Sequence, residues 1–370
     1  MVVLKYVLER VLMKQDIIKT AHSLGIDIVG FTDVLDYSYL GNYLYDRKNK
    51  GYSCEFEEQD INKRLDVRNV FPRCKSIIAI GVLYASGYKR PDAGSMGLLS
   101  VSSHGEDYHR ILTNLLKKLA EEIKQRIDFD YKICVDTSPL IDREICKNAG
   151  IGNYGKNTLL INEEYGSFIN VGYLLTSLEI ECDSNKSEDI CKDCNICIKS
   201  CPNKAIFDEG GINATRCVSY LTQTKKYIPL EYRKSMKNQI YGCDICQLSC
   251  PKNKRSNEKT KDYSSLLVDL EELMQMSNME FQEKYGHLSG SWRGKNVWKR
   301  NALIAIGNME LKSMFRLAEN ELNNDSEMIK IYAAWCLLKL NEEKAKEILH
   351  NRMKFENDTV KKEYTKLMEA

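Results

Sequence analysis

The chain has 370 residues, 43% hydrophobic and 29% charged, the balance of a soluble globular protein with room for two or three domains. A net charge of +2 excludes a global field that would draw in nucleic acid, so any such site must come from local basic clusters. No run of about 18 apolar residues is present, which excludes a membrane-spanning helix.

Val2–Leu12 is apolar but interrupted by Lys5, Glu9 and Arg10, and no small-residue cleavage site follows; it is a poor signal peptide. It reads as a first helix, or as an extension upstream of an alternative start at Met13. Residues 14–33 predict a helix and then a strand. Ile17, Ile18, Ala21 and Leu24 fall at helical spacing, Gly25 is a stop, and Ile26–Phe31 is strand-like. Ser76–Tyr84 predicts a second strand. Asp107–Ile127 predicts an amphipathic helix with Leu112, Leu115, Leu116 and Leu119 on one stripe. Tyr131–Val135 predicts a short buried strand, and Tyr165–Leu178 one or two more. Strands and helices mix without a repeated unit, so the class is α+β, with a mixed N-terminal domain over 1–180.

From 181 to 262 the composition shifts to Cys, Lys, Asn and Asp and the hydrophobic periodicity is lost, as in a small domain that uses metal in place of a large core. The segment 263–370 is helical and charged. Within it, Arg300–Met309 and Lys330–Leu340 share their Ala and Leu/Ile placement about thirty residues apart, a spacing typical of paired-helix repeats of the HEAT type. An ordinary helical bundle is the plainer alternative.

Of the fourteen cysteines, eight lie between Cys191 and Cys250. Cys191, Cys194, Cys197 and Cys201-Pro202 form C-x2-C-x2-C-x3-C-P, the bacterial ferredoxin run, in which three thiolates hold one 4Fe–4S cube and the fourth holds the other. Cys243, Cys246 and Cys250-Pro251 repeat the pattern without its middle cysteine, and Cys217 supplies the missing ligand. The crossed assignment gives Cys191, Cys194, Cys197 and Cys250 to one cluster, and Cys201, Cys217, Cys243 and Cys246 to the other. Zinc also uses C-x2-C pairs, but it has no need of the x3-C-P elements. Cys54, Cys74, Cys134, Cys146, Cys182 and Cys336 are scattered, as small buried hydrophobes often are. This pattern belongs to a redox protein of a reducing compartment, the cytoplasm.

Val135–Asn157 reads VDTSPLIDREICKNAGIGNYGKN; GEDYHRIL lies upstream at Gly105–Leu112 and GSFINVGYLL downstream at Gly166–Leu175. RCVSYLT at Arg216–Thr222 and IYGCDICQLSCPKN at Ile240–Asn253 complete the set. In this order and spacing the motifs resemble the epoxyqueuosine reductase family over about residues 14 to 310. The resemblance implies a cobalamin-dependent enzyme with two 4Fe–4S clusters, performing the last step of queuosine synthesis at the wobble position of tRNA. It implies that Asp136 is the proton donor beside the corrin, that Gly152, Lys156 and Asn157 belong to a cofactor loop (Ala149–Asn157), and that Arg64 is a corrin-side arginine. A carboxylic acid buried under an apolar corrin would hold its proton through a raised pKa. Two departures fall near the expected pocket: Asn153 stands where the family commonly has an aromatic, and Val101 where an Arg usually follows Ser100.

Taken alone, Asp136 reads as a turn or cap residue. Gly150, Gly152 and Gly155 match G-x-G-x-x-G, but no clear strand precedes them, so a dinucleotide loop is a poor reading. A tRNA partner needs cations for phosphate contacts, and Lys252, Lys254, Arg293, Lys295, Lys299 and Arg300 are the candidates, with Trp292 and Trp298 as stacking surfaces. The chain is expected to be a monomer served by an external electron donor. Two other functions compete: a cobalamin and iron–sulfur reductase of a small molecule, similar to reductive dehalogenases, and a non-enzymatic electron relay.

Overall fold

The computed structural model describes residues 2–85, 88–183, 188–253 and 263–370, with side chains from Leu12 onward. Contacts group the chain into two compact units, each assembled from three stretches. The first takes 1–87, 106–215 and 245–260; the second takes 88–105, 216–244 and 261–370.

In the first unit, helix α1 (Val2–Ser23) ends at the glycine that the sequence singled out. Gly25 has φ +83°, its N–H donates to the His22 carbonyl, and the Ile26 N–H donates to that of Ala21. This paired closure needs a left-handed residue, which glycine adopts without a Cβ clash. It turns the chain into β1 (Ile28–Asp33), which joins β2 (Ser76–Leu83), β3 (Tyr131–Cys134) and β4 (Ile169–Thr176) in a wholly antiparallel sheet of order β1-β2-β4-β3.

β2 reads as an unbroken apolar run because both faces of the sheet are covered. Ile78 and Ile80 point to one side, where Phe31 and Leu174 meet α1 and the leucine stripe of α2 (Tyr108–Lys124). Ile77 and Ala79 point to the other, against Tyr173, Leu175 and the apolar side of α3 (Asp142–Asn148). The strand and helix expectations along 14–180 therefore hold, to within a few residues at the ends. Two short helices, α4 (Ile196–Ser200) and α5 (Ile245–Leu248), lie within the two cysteine-rich runs, carry Cys197 and Cys246, and pack together.

The second unit contains a three-stranded sheet in which Gly97–Leu99 lies between Gln239–Tyr241 (parallel) and Leu267–Val268 (antiparallel). These backbone bonds group 88–105 with the second unit. The helical part is built on α6 (Lys295–Asn308) and α7 (Glu327–Leu340), with α8 (Glu342–Arg352) and α9 (Asp358–Glu369) also on α7. α7 is apolar nearly all round and is surrounded accordingly. Among the described residues no helix is long and apolar enough to cross a membrane.

Candidate active site

The first unit brings four thiols together. Burial pushes the Cys197 thiol up, and the neighbouring sulfurs of Cys191, Cys250 and Cys194 push it further. Burial raises the Cys250 thiol as well, with Cys191 and Cys194 adding to it. Thiols that oppose one another's ionisation in this way need a cationic centre to hold them all as thiolates. Among the described residues no three His, Cys, Asp or Glu groups are placed to grip a single metal ion. Three closely spaced cysteines with a fourth from a remote run are the ligand set of a 4Fe–4S cube. Backbone N–H groups already point at the sulfurs: Lys156 donates to Cys191 Sγ at 3.3 Å and Ala205 to Cys201 Sγ at 3.3 Å. Such bonds stabilise the added negative charge of a reduced cluster.

Lys156 ties this pocket to the glycine loop. Its Nζ donates to Asn195 Oδ1 at 2.9 Å, so the side chain is held at the cysteine run. The loop itself is a small hairpin in which Asn153–Tyr154 pairs with Leu160–Ile161. A Cβ on Gly152 would lie 2.8 Å from the Ile161 carbonyl oxygen, so only glycine lets the two backbones approach this closely. Asn157 is 4% exposed, and its Nδ2 is buried with no hydrogen-bond partner. An orphaned amide donor is costly unless something accepts from it, so this loop fits a polar ligand such as a corrin amide. Arg64 is committed differently. With Arg47 it flanks Glu57, donating at 3.1 Å to the carboxylate, while its Nε is buried without a partner. Burial opposes ionisation of Glu57, but the two guanidinium groups outweigh it and hold the carboxyl below its usual range.

Asp136 follows β3 in an unusual backbone state. Its φ is +53°, and the Thr137 N–H donates to the Val135 carbonyl at 2.6 Å, closing a left-handed γ-turn on it. Aspartate tolerates this region better than most residues, yet the turn stores strain. Its side chain is 63% exposed. Oδ2 accepts from the Tyr108 hydroxyl at 2.7 Å and faces His109 Nε2 at 3.6 Å, an ion-pair rather than a hydrogen-bond distance. The other ring nitrogen of His109 lies 2.7 Å from Asp107 Oδ1, the cap of α2. Desolvation raises the Asp136 pKa, but His109 and Tyr108 outweigh it and leave it lowered. His109 is raised, first by Asp136 and then, against burial, by Asp107.

The direction is therefore opposite to the raised pKa expected under a corrin: with these neighbours alone the pair favours the Asp136 carboxylate and the protonated His109 ring. The nearby acid with a raised pKa is Asp142, pushed up to about 6 by burial, with the Asp136 charge adding to the shift and the Tyr173 hydroxyl donating to it at 2.5 Å. Tyr108, His109 and Asp142 went unassigned in the sequence, although the spacing Asp107-x-His109 at a helix start was a usable signal. Arg143 Nη1 donates to the Thr158 carbonyl at 3.0 Å and its charge lowers Asp136, which places the acid and the glycine loop side by side.

In the second unit the basic candidates are mostly occupied. Lys299 and Arg300 are corrected as RNA ligands, since both are buried. Lys299 pairs with Glu321 at 2.7 Å, and Arg300 is 0% exposed. Arg300 donates to the carbonyls of Leu221 (2.8 Å) and Thr224 and to Asn301 Oδ1. Asn301 donates to the carbonyls of Thr222 and Ile240, both at 2.7 Å. The Arg300-Asn301 pair thus clamps the two segments that carry Cys217 and Cys243. Trp298 is core. Arg293 and Lys295 are half-buried and donate to the carbonyls of Gln223 and Met276. Lys252, in the first unit, is exposed; Lys254 lies outside the described residues.

Residues 190–253 match the family described as a 4Fe-4S double cluster binding domain, and residues 64–137 match Epoxyqueuosine reductase QueG, DUF1730. Together with the thiol geometry, this defines an iron–sulfur oxidoreductase with two 4Fe–4S clusters. The chain is 39% identical over 338 residues to the epoxyqueuosine reductase of Lactococcus garvieae, covering 89% of this chain and 96% of that one. It is 36% identical over 357 residues to that of Bacillus subtilis, covering 94% and 92%. A solved epoxyqueuosine reductase with an epoxyqueuosine-modified tRNA-Tyr stem loop superposes with a TM-score of 0.91 at 35% identity, covering 97% of this chain and 98% of that one. A Bacillus subtilis structure whose catalytic aspartate loop is swung out of the active site superposes with a TM-score of 0.90 over the same shares of both chains. This chain belongs to the epoxyqueuosine reductase family.

Proposed function

We propose that this chain reduces epoxyqueuosine to queuosine at the wobble position of tRNA, in the cytoplasm and as a monomer, with cobalamin at the reaction centre and electrons from an external donor fed through the two 4Fe–4S clusters. One observation carries the reading. The Asp136–His109 pair, the loop with the orphaned Asn157 amide and the four-thiol pocket are joined in one compact unit, through Arg143 to Thr158 and Lys156 to Cys191.

In functional terms the chain keeps three segments: a cobalamin-binding catalytic part (1–180), a ferredoxin-like part (181–262) and a helical part (263–370) with HEAT-like repeats. Cys191, Cys194, Cys197 and Cys250 hold one cluster, and Cys201, Cys217, Cys243 and Cys246 the other. Gly152, Lys156, Asn157 and Arg64 hold the cobalamin. Lys252, Arg293 and Lys295 remain candidates for phosphate contact.

Converting an epoxide to an alkene consumes two electrons and two protons and releases water. Cobalamin, when bound, supplies the low-potential reducing chemistry. The protein supplies the protons. Asp136 stands exposed on its strained turn, where a leaving oxygen can reach it. His109, oriented by Asp107, is the proton source, and its proton passes by way of Asp136 Oδ2 to the leaving oxygen, with Tyr108 fixing the carboxylate.

The test is direct. Anaerobically purified protein is incubated with cobalamin, a strong reductant and epoxyqueuosine-containing tRNA, and the digested nucleosides are weighed. Loss of one oxygen that depends on cobalamin is the expected result. No change, with clusters and corrin both bound, overturns the proposal. For the crossed ligation, Cys217→Ala is expected to lose the iron of one cluster; full retention of about eight irons refutes it.

A further inference from the structure

With Lys299 and Arg300 buried, any nucleic-acid contact of the helical region has to use other cations. A cavity of about 290 Å³ opens on it, lined by Lys312, Ser313, Phe315, Arg316, Asn341 and Lys344. Three of these side chains are cations and none is an acid. The three cations are exposed. Three other lysines of this region have carboxylate partners: Lys299 with Glu321 at 2.7 Å, Lys330 with Glu356 at 2.7 Å and Lys346 with Glu342 at 2.6 Å. Lys312, Arg316 and Lys344 have no such pair among the described residues.

Their placement is built rather than random. Lys344 Nζ lies 4.5 Å from the ring centre of Phe315, which is nine-tenths buried and fixes the floor. Asn341 caps the helix that carries Lys344 by accepting its N–H at 3.1 Å. Nearby Glu342 is drawn away by Lys346. Three cations converging without a counter-ion repel one another, and an anion relieves that cost. Arginine offers a fork that matches phosphate oxygens, lysines add point charge, and Ser313 and Asn341 add neutral donors. A space of this size takes one phosphate group with its water. No aromatic face stands exposed beside the cations for a base to stack on, so the contact is to backbone rather than to sequence.

We infer that the cavity between Lys312, Arg316 and Lys344 binds a phosphodiester group of the RNA substrate. This rests on the proposed tRNA function and adds to it a specific contact that positions the RNA without reading its bases. Three lost contacts correspond to a slope change of about two to three in log K against log salt.

The experiment uses the full-length holoenzyme and a fluorescent anticodon stem-loop, with affinity measured by anisotropy from low to high salt. The variants are the exposed triple change Lys312→Glu, Arg316→Glu and Lys344→Glu, its Gln counterpart, and a control reversal of Lys362 and Lys366 elsewhere on the region. The triple Glu protein is expected to bind about ten- to a hundredfold more weakly, with the salt slope reduced by about two to three. The Gln protein should show the same slope loss and the control protein little. An unchanged slope in the triple variants overturns the inference. So does competition by inorganic phosphate for the cavity with RNA affinity unaffected, which would make it a site for a free anion. If the wild-type protein fails to bind the stem-loop at all, the tRNA function itself falls, a result distinct from either.

Discussion

The two units use charged residues in opposite ways. In the first, Asp136 is exposed, held in a left-handed turn and faced by the His109 ring at 3.6 Å, and Asn157 keeps a buried donor without an acceptor. In the second, Arg300 is wholly buried, and the donors of its Nε and both terminal nitrogens go to carbonyls or to Asn301. The first arrangement is under-satisfied and strained, as expected where a group must be free to exchange a proton. The second leaves nothing to exchange and instead fixes the backbone beside Cys217 and Cys243. At these two places, the group open to exchange lacks partners and the structural one has them all.

The largest effect should come from breaking the saturated centre. Arg300→Met leaves the Leu221 and Thr224 carbonyls buried without donors, and the protein is expected to lose about 3–5 kcal/mol of stability together with part of its iron. Chemical denaturation and iron analysis check this; a variant with normal stability would mean that the clamp is dispensable. Asp136→Asn should do the reverse, leaving stability and iron near wild type while turnover falls about 10²- to 10³-fold. His109→Gln sharpens the point through its pH profile. His109 is charged up to its raised pKa, so wild-type activity should fall as pH rises through that value. In the variant this alkaline limb should vanish along with most of the rate. An unaltered profile would remove His109 as the proton source.

The sequence disclosed the elements whose signal is local. The leucine stripe of α2, the apolar run of β2 and the Gly25 stop each need only neighbours in the chain. The cysteine spacing was legible for the same reason, because ligand geometry fixes short intervals. Partnerships across the fold were not legible. Tyr108 meets Asp136 across 28 residues, and only the sheet brings them together. Lys299 and Arg300 looked like a solvated helix face next to tryptophans, because nothing in their own segment reveals that the carbonyls of Leu221 and Thr224 need donors. The surroundings of Asp136 were hidden likewise: the Tyr108 hydroxyl and the His109 ring that lower its pKa come from a helix start 28 residues upstream.

Asp142 tests the comparison on a smaller scale. Its folded pKa of about 6 lies above the ordinary 3.8, so the native state binds the extra proton and stability should decline as pH rises from about 4 to about 6. Asp142→Asn should flatten that decline, a difference of about 2–3 kcal/mol by the upper end of the window, seen as thermal midpoints measured across it. If the wild-type midpoints do not move, Asp142 is not the protonated acid of the pair.

The smallest effect should belong to a pair that has partners and yet does little. Arg73 and Asp130 lie 2.6 Å apart with side chains 77% and 53% exposed. Water screens both charges and competes for both, so Arg73→Ala should cost no more than about 0.5 kcal/mol, less still in high salt. The distance is as short as any of the buried pairs, and the change removes one partner outright, as Arg300→Met does. What differs is access to solvent. A loss above about 1 kcal/mol here would mean that pairing alone, not burial with pairing, gives the second unit its rigidity.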